Sequence, residues 1–196
     1  MDSSVGRVRS LQRFPLKSAR GELLDAVAVA GSGLESDRRW ALQDTDGEPV
    51  TAREAPSLRD STARVSDAGL LVDVPGSGDG LGGSDAEAAL SRLAGRAVHL
   101  VESDGRHHDV AAVHVVSHGA EADPDAPDGC DPDPRANLVL DLDDGPGRER
   151  SWVGRTVAVG GARLRVTRTP KHCLGVYAEV LAPGEVKVGD PVALLD

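Results

Sequence analysis

A chain of 196 residues is long enough to bury roughly 70% of its unfolded surface, so it needs no disulfide or metal to staple its fold. With 39% hydrophobic and 28% charged residues it has the composition of a soluble globular protein, and no apolar run approaches the ~20 residues of a membrane helix, so no membrane span is expected. Acidic residues outnumber basic ones by 32 to 22, and the aromatics are two Trp, one Tyr and one Phe, so nucleic acid would be repelled and would find no stacking platform.

At the N-terminus, Arg7, Arg9 and Arg13 interrupt the apolar stretch that a secretion signal requires. A cytoplasmic chain is expected, with Cys130 and Cys173 as reduced thiols. Short pieces rich in Val and Leu, separated by Gly, Pro and Asp, predict strands over residues 5–14, 26–29, 39–43, 61–65, 70–74 and 97–101. Between the last two, the glycine-rich residues 75–83 predict a flexible linker, placed as the boundary between a domain of residues 1–75 and one of residues 84–196. The next segment predicts a helix bridging the halves: Ser84 as N-cap, Glu87 completing a capping box, an apolar stripe of Ala88, Leu90 and Leu93, and Gly95 at the C-terminal end. Strands are predicted again over residues 110–116, 138–142, 155–159, 163–168, 185–188 and 191–195, twelve in all, which suits two joined barrels or one elaborate barrel. The acidic, proline-rich residues 121–134 cannot fill a core and predict a surface loop, a candidate rim or lid. No phosphate-cradling loop, dinucleotide fingerprint, nucleophile elbow or Cys-x-x-Cys pair occurs, which counts against ATP, hydride-transfer and iron–sulfur chemistry.

Three segments carry chemistry. FPLKSARG and GLESDRRW place Lys17, Ser18 and Arg38 in two loops, and converging Lys, Ser and Arg side chains make an anion site because each donates to phosphate oxygens; a solvated turn is the other reading. In DPDPRANLVL a proline-stiffened loop delivers Arg135 and Asn137 to the mouth of a strand, where a lone Arg equally reads as a surface charge. In TRTPKHCL, Cys173 follows Lys171 and His172 at a strand end. Nearby cations lower a thiol's pKa below about 8.5, and the resulting thiolate is both a nucleophile and a soft metal ligand. A buried structural cysteine is the alternative. The stretch RHHD at residues 106–109 lacks the ligand spacing of a zinc site, and Cys130 reads as a bystander.

Taken in order, FPLKSARG, GLESDRRWALQDTDGEPVTAREAPSL, PRANLVLD, SWVGRTVAVGGARLRV, HC and PGEVKVGDPV resemble the MOSC family, named for the C-terminal domain of molybdenum cofactor sulfurase, together with its N-terminal β-barrel extension. The resemblance implies a mainly β protein, a MOSC-type β-barrel with that extension and a few short helices. It also implies a molybdenum cofactor (molybdopterin), with Cys173 as catalytic residue and sulfur ligand to the metal. Lys17, Ser18 and Arg38 match positions that hold the pterin and its phosphate, Arg135 matches another cofactor contact with Asn137 beside it, and Ser117 matches the family's serine after the preceding strand. His172 stands where family members often carry Arg and is taken with Cys173 as a cofactor contact. The amidoxime-reducing branch of the family implies an oxidoreductase that removes oxygen from N-hydroxylated or N-oxide small molecules. Its electrons come from a separate reductase, since two cysteines build no four-thiolate cluster and no flavin or nicotinamide motif is present. The alternatives are a sulfur (persulfide) or cofactor carrier served by a sulfur donor, and a binding domain that no longer turns substrate over.

Overall fold

The computed structural model describes residues 3–103, 111–123, 134–171 and 173–195. In chain order the elements are β1 (Ser3–Arg13), β2 (Glu22–Leu24), β3 (Ala26–Ala30), β4 (Gly33–Leu34), β5 (Trp40–Gln43), β6 (Pro49–Val50), a 3-10 turn η1 (Pro56–Asp60), β7 (Thr62–Ser66), β8 (Gly69–Val74), β9 (Gly78–Leu81), the helix α1 (Gly83–Ala94), β10 (His99–Glu102), β11 (Val113–Ser117), η2 (Ala120–Ala122), β12 (Leu138–Leu142), η3 (Arg148–Trp152), β13 (Thr156–Val159), β14 (Ala162–Arg168), β15 (Val176–Ala182), β16 (Gly184–Lys187) and β17 (Pro191–Leu195). The protein is mainly β, as its punctuated Val- and Leu-rich pieces predict. No helix among the described residues is long and apolar enough to cross a membrane.

The residues form two compact units, one drawn from Met1–Gln12, Leu23–Glu35 and Asp109–Asp196, the other from Arg13–Glu22 and Ser36–His108. In the first, β12, β11, β15, β14, β13, β17 and β1 pair in that order and β1 pairs back to β12, which closes a seven-stranded barrel. Closure leaves no exposed edge within the ring. Its strands alternate inward and outward: in β14, Ala162, Leu164 and Val166 are buried while Arg163 and Arg165 face out. Val8, Leu11, Leu138, Leu140, Val176 and Val192 fill the same core, and each such side chain is worth roughly 1.5–3 kcal/mol of burial. β11 and β12 run parallel, and β16, β3 and β4 form a separate small sheet of this unit.

The second unit holds the sheets β10–β5–β6 and β7–β8–β9 and packs α1 on β8. α1 buries Ala86, Ala89 and Leu90, an i, i+3, i+4 stripe. It ends at Gly95, whose left-handed backbone (φ 69°) turns its N–H back to the carbonyls of Ser91 and Arg92.

Several expectations are corrected here. The helix starts at Gly83 after an N-cap at Gly82 with no side-chain cap, so Ser84 lies in its first turn. The Glu87 carboxylate accepts from the Leu100 N–H of β10 at 2.8 Å, and the N-cap has no side-chain cap hydrogen bond. Ala88 is exposed, and α1 lies within the second unit and does not bridge the halves of the chain. Residues 75–83 are not a linker: β9 pairs with β8, and the Gly80 N–H donates to Asp73 Oδ1 at 2.7 Å. A boundary there, between residues 1–75 and 84–196, is not where the structure divides, because the barrel joins N-terminal β1 to C-terminal β17 and β12. Strands number seventeen among the described residues, five more than predicted, four of them pieces of two to four residues. The fifth, β15, reads VYAEVLA and is a strand because β11 and β14 pair with its two edges. Of the acidic tract 121–134, Glu121 and Ala122 lie in η2, while residues 124–133, with Cys130, fall outside the described residues.

Candidate functional site

In the second unit, the loop that follows β1 runs beside the loop that precedes β5. The Arg38 N–H donates to Phe14 O at 2.8 Å, the Trp40 N–H to Pro15 O at 3.0 Å and the Lys17 N–H to Trp40 O at 2.9 Å. These rungs bring Lys17, Ser18 and Arg38 onto two joined segments. Asp37 locks them: wholly buried, it accepts the Phe14 N–H on Oδ1 at 2.7 Å and the Arg38 guanidinium on Oδ2. The same guanidinium lies 4.6 Å from the centre of the Phe14 ring, a cation–π contact. Ser18 is buried and its Oγ accepts the Ala52 N–H at 2.9 Å, while Lys17 is half-buried.

In the first unit, Ser117 closes β11. Its Oγ accepts the Gly147 N–H at 2.6 Å and its own N–H donates to Oε1 of the wholly buried Glu149 at 3.1 Å. Asn137 enters β12 with both ends of its side-chain amide engaged: Oδ1 accepts the His114 N–H at 3.1 Å and Nδ2 donates to Gln12 O at 3.3 Å. Cys173 is half-buried in the turn between β14 and β15. Behind it, Leu174 packs into a small cluster with Val116, Ala120 and Ala136. Gly175 has φ 79°, and a Cβ there would meet Val115 O at 2.1 Å, so only glycine lets this turn lie against β11. His172 and the RHHD stretch lie outside the described residues.

The backbone singles out some of the same residues. Among the described residues four that are not glycine have left-handed φ: Ser18 (77°), Ser36 (59°), Arg38 (49°) and Arg135 (51°). Such conformations cost of order 1–3 kcal/mol each and collect at ligand clamps and active sites. Three of the four, Ser18, Arg38 and Arg135, are positions where the family resemblance implies a cofactor contact. Among the described residues no three His, Cys, Asp or Glu side chains gather to hold a metal. Asp37, Glu149 and His114, which hold these loops, were not singled out by sequence; an acid inside ESDRRW or RERSW reads as a surface charge, and a histidine inside AAVHVVS as core.

A barrel-built, mainly β protein with a half-buried cysteine and basic loops held in strained backbone is the class that these features define. Residues 5–117 match the model of the MOSC N-terminal beta barrel domain, and the chain belongs to that family. It is similar to mitochondrial amidoxime reducing component 2 of Bos taurus, 36% identical over 76 residues, a match spanning 37% of this chain and 23% of that protein. Its fold is that of the YUAD protein of Bacillus subtilis, with a TM-score of 0.50 at 12% identity, covering 99% of this chain and 98% of that one.

Proposed function

We propose that this protein binds a molybdenum cofactor and serves as an oxidoreductase that removes oxygen from N-hydroxylated or N-oxide small molecules. The observation that carries the reading is the left-handed backbone at Ser18, Arg38 and Arg135, strain placed at residues with no glycine's freedom and with side chains suited to an anionic ligand. Membership of the MOSC N-terminal domain family and the similarity to an amidoxime reducing component support it.

In this reading Lys17, Ser18 and Arg38 hold the pterin and its phosphate, Arg135 makes a further contact, and Cys173 supplies a thiolate to the metal. His172, Ser117 and Asn137 belong to the cofactor-contact set, Ser117 and Asn137 chiefly by shaping the loops that their side chains tie down. When bound, the cofactor supplies a metal that takes oxygen from a substrate. The chain's own work is to present the thiol, balance the phosphate charge and keep the loops rigid. Reduction of an N-hydroxyl group to an amine consumes two electrons and two protons and releases water. The electrons come from a separate reductase, because this sequence carries no flavin, nicotinamide or iron–sulfur motif.

The test is the metal and pterin content of protein made in a cofactor-competent host, followed by turnover of an N-hydroxylated amidine with a chemically reduced viologen. Stoichiometric molybdenum that disappears in Cys173→Ala, together with amidine formation, is the expected result. Sulfane sulfur on Cys173 without molybdenum would establish a sulfur carrier instead, and bound cofactor without turnover a carrier or binding domain.

A further inference from the structure

We propose that His114 is a positioning residue that fixes the turn carrying Cys173, an inference resting on the reading of Cys173 as the metal's thiolate ligand. Every residue of β11, Val113–Ser117, is buried, and an imidazole in such a strand costs free energy unless its nitrogens are bonded. Its Nε2 lies 2.8 Å from Leu174 O. A carbonyl oxygen has only lone pairs to offer, so Nε2 carries the hydrogen and donates. The ring leans on Tyr177, its partner across the β11–β15 pair, with centroids 4.9 Å apart and planes tilted by 55°. Its backbone is tied to the other candidate segment: the His114 N–H donates to Asn137 Oδ1, and the Asn137 N–H donates to His114 O at 2.9 Å.

One residue thus joins the Arg135–Asn137 entry to β12 and the turn after Cys173. Leu174 is held twice, by its side chain among Val116, Ala120 and Ala136 and by its carbonyl on His114. Gly175 follows against Val115 O. His114 thus anchors the Leu174–Gly175 peptide, one residue beyond Cys173, and through it the turn that carries the thiol. A leucine at position 114 would fill the strand's interior equally well but could not donate to Leu174 O.

The experiment uses the full chain with Cys130→Ser, so that Cys173 is the thiol that reports, and compares His114→Leu, His114→Gln and His114→Asn. Glutamine places an amide donor near the position of Nε2, whereas asparagine is too short to reach. Melting temperature, the alkylation rate of Cys173 by iodoacetamide in cofactor-free protein, and molybdenum retained by protein from a cofactor-competent host are measured. His114→Leu should melt close to the parent yet alkylate faster by about fivefold or more, because the half-buried thiol is released, and it should retain less molybdenum; His114→Gln should stay within about twofold of the parent. If the leucine variant does not fold, His114→Asn against His114→Gln carries the same comparison. An alkylation rate unchanged or lowered in His114→Leu, or a glutamine variant as altered as the leucine one, overturns the proposal. The two readings fail separately: a parent without molybdenum removes the cofactor role and leaves the alkylation comparison to decide on His114, while a molybdenum-loaded parent with an indifferent leucine variant removes only the role of His114.

Discussion

Arg38 is held in left-handed backbone by what surrounds it: its N–H on Phe14 O, its guanidinium on Asp37, its flat face over the Phe14 ring. Removing one partner of a pair buried on the carboxylate side leaves the other uncompensated. Asp37→Ala should therefore cost about 3–5 kcal/mol in denaturant unfolding, and Asp37→Asn less, since an amide oxygen still accepts the Phe14 N–H. A loss under 1 kcal/mol for the alanine variant would mean that the loop pair stands without its buried acid. At this scale residue type alone singles out candidates, a cysteine after Lys-His and a Lys-Ser beside Arg-rich loops. Their supports were not. Asp37, Glu149 and His114 acquire their roles through burial and through partners far along the chain, which residue type alone does not reveal.

Among elements, the β7–β8–β9 sheet owes part of its order to a cross-strand ion pair. Arg64 Nη1 donates to both oxygens of Asp73 at 2.6 Å, and the Gly80 N–H of β9 donates to the same carboxylate. Burial pushes the Asp73 carboxyl up, but the bond from Arg64, the Gly80 amide and the Arg64 charge outweigh it and hold the carboxyl below its ordinary value. A lowered folded-state value means that the contribution is fully present above the unfolded value of about 3.9 and is lost as pH falls through the folded one. Asp73→Asn should accordingly melt below the wild type near neutral pH, with the gap narrowing as the solution is acidified past that window; a gap independent of pH would remove the carboxylate from the explanation. Strands with clear alternation were legible, β14 and β8 among them. β9 and β15 were not, since GDGL reads as a linker by composition and VYAEVLA suits a helix as readily as a strand until neighbours pair with it.

For the molecule as a whole, two separate cores follow from two units. Leu140 in the barrel core and Leu90 in the other are both wholly buried, and Leu→Ala at either should cost about 2–5 kcal/mol by denaturant unfolding. A cost below about 1 kcal/mol at one of them would mean that its core closes over the cavity without loss. The amino-acid order by itself determined that the chain is mainly β, where most strands and α1 lie, and which side chains bring charge and sulfur, because these depend on local periodicity, turn residues and residue chemistry. Only the tertiary structure decided that β1 closes the barrel against β12 and β17, that the units interleave along the chain instead of following one another, and that a histidine and two acids hold the candidate loops. Strand partnership and burial are set by which distant segments exclude water together, a property that exists only once the chain has packed.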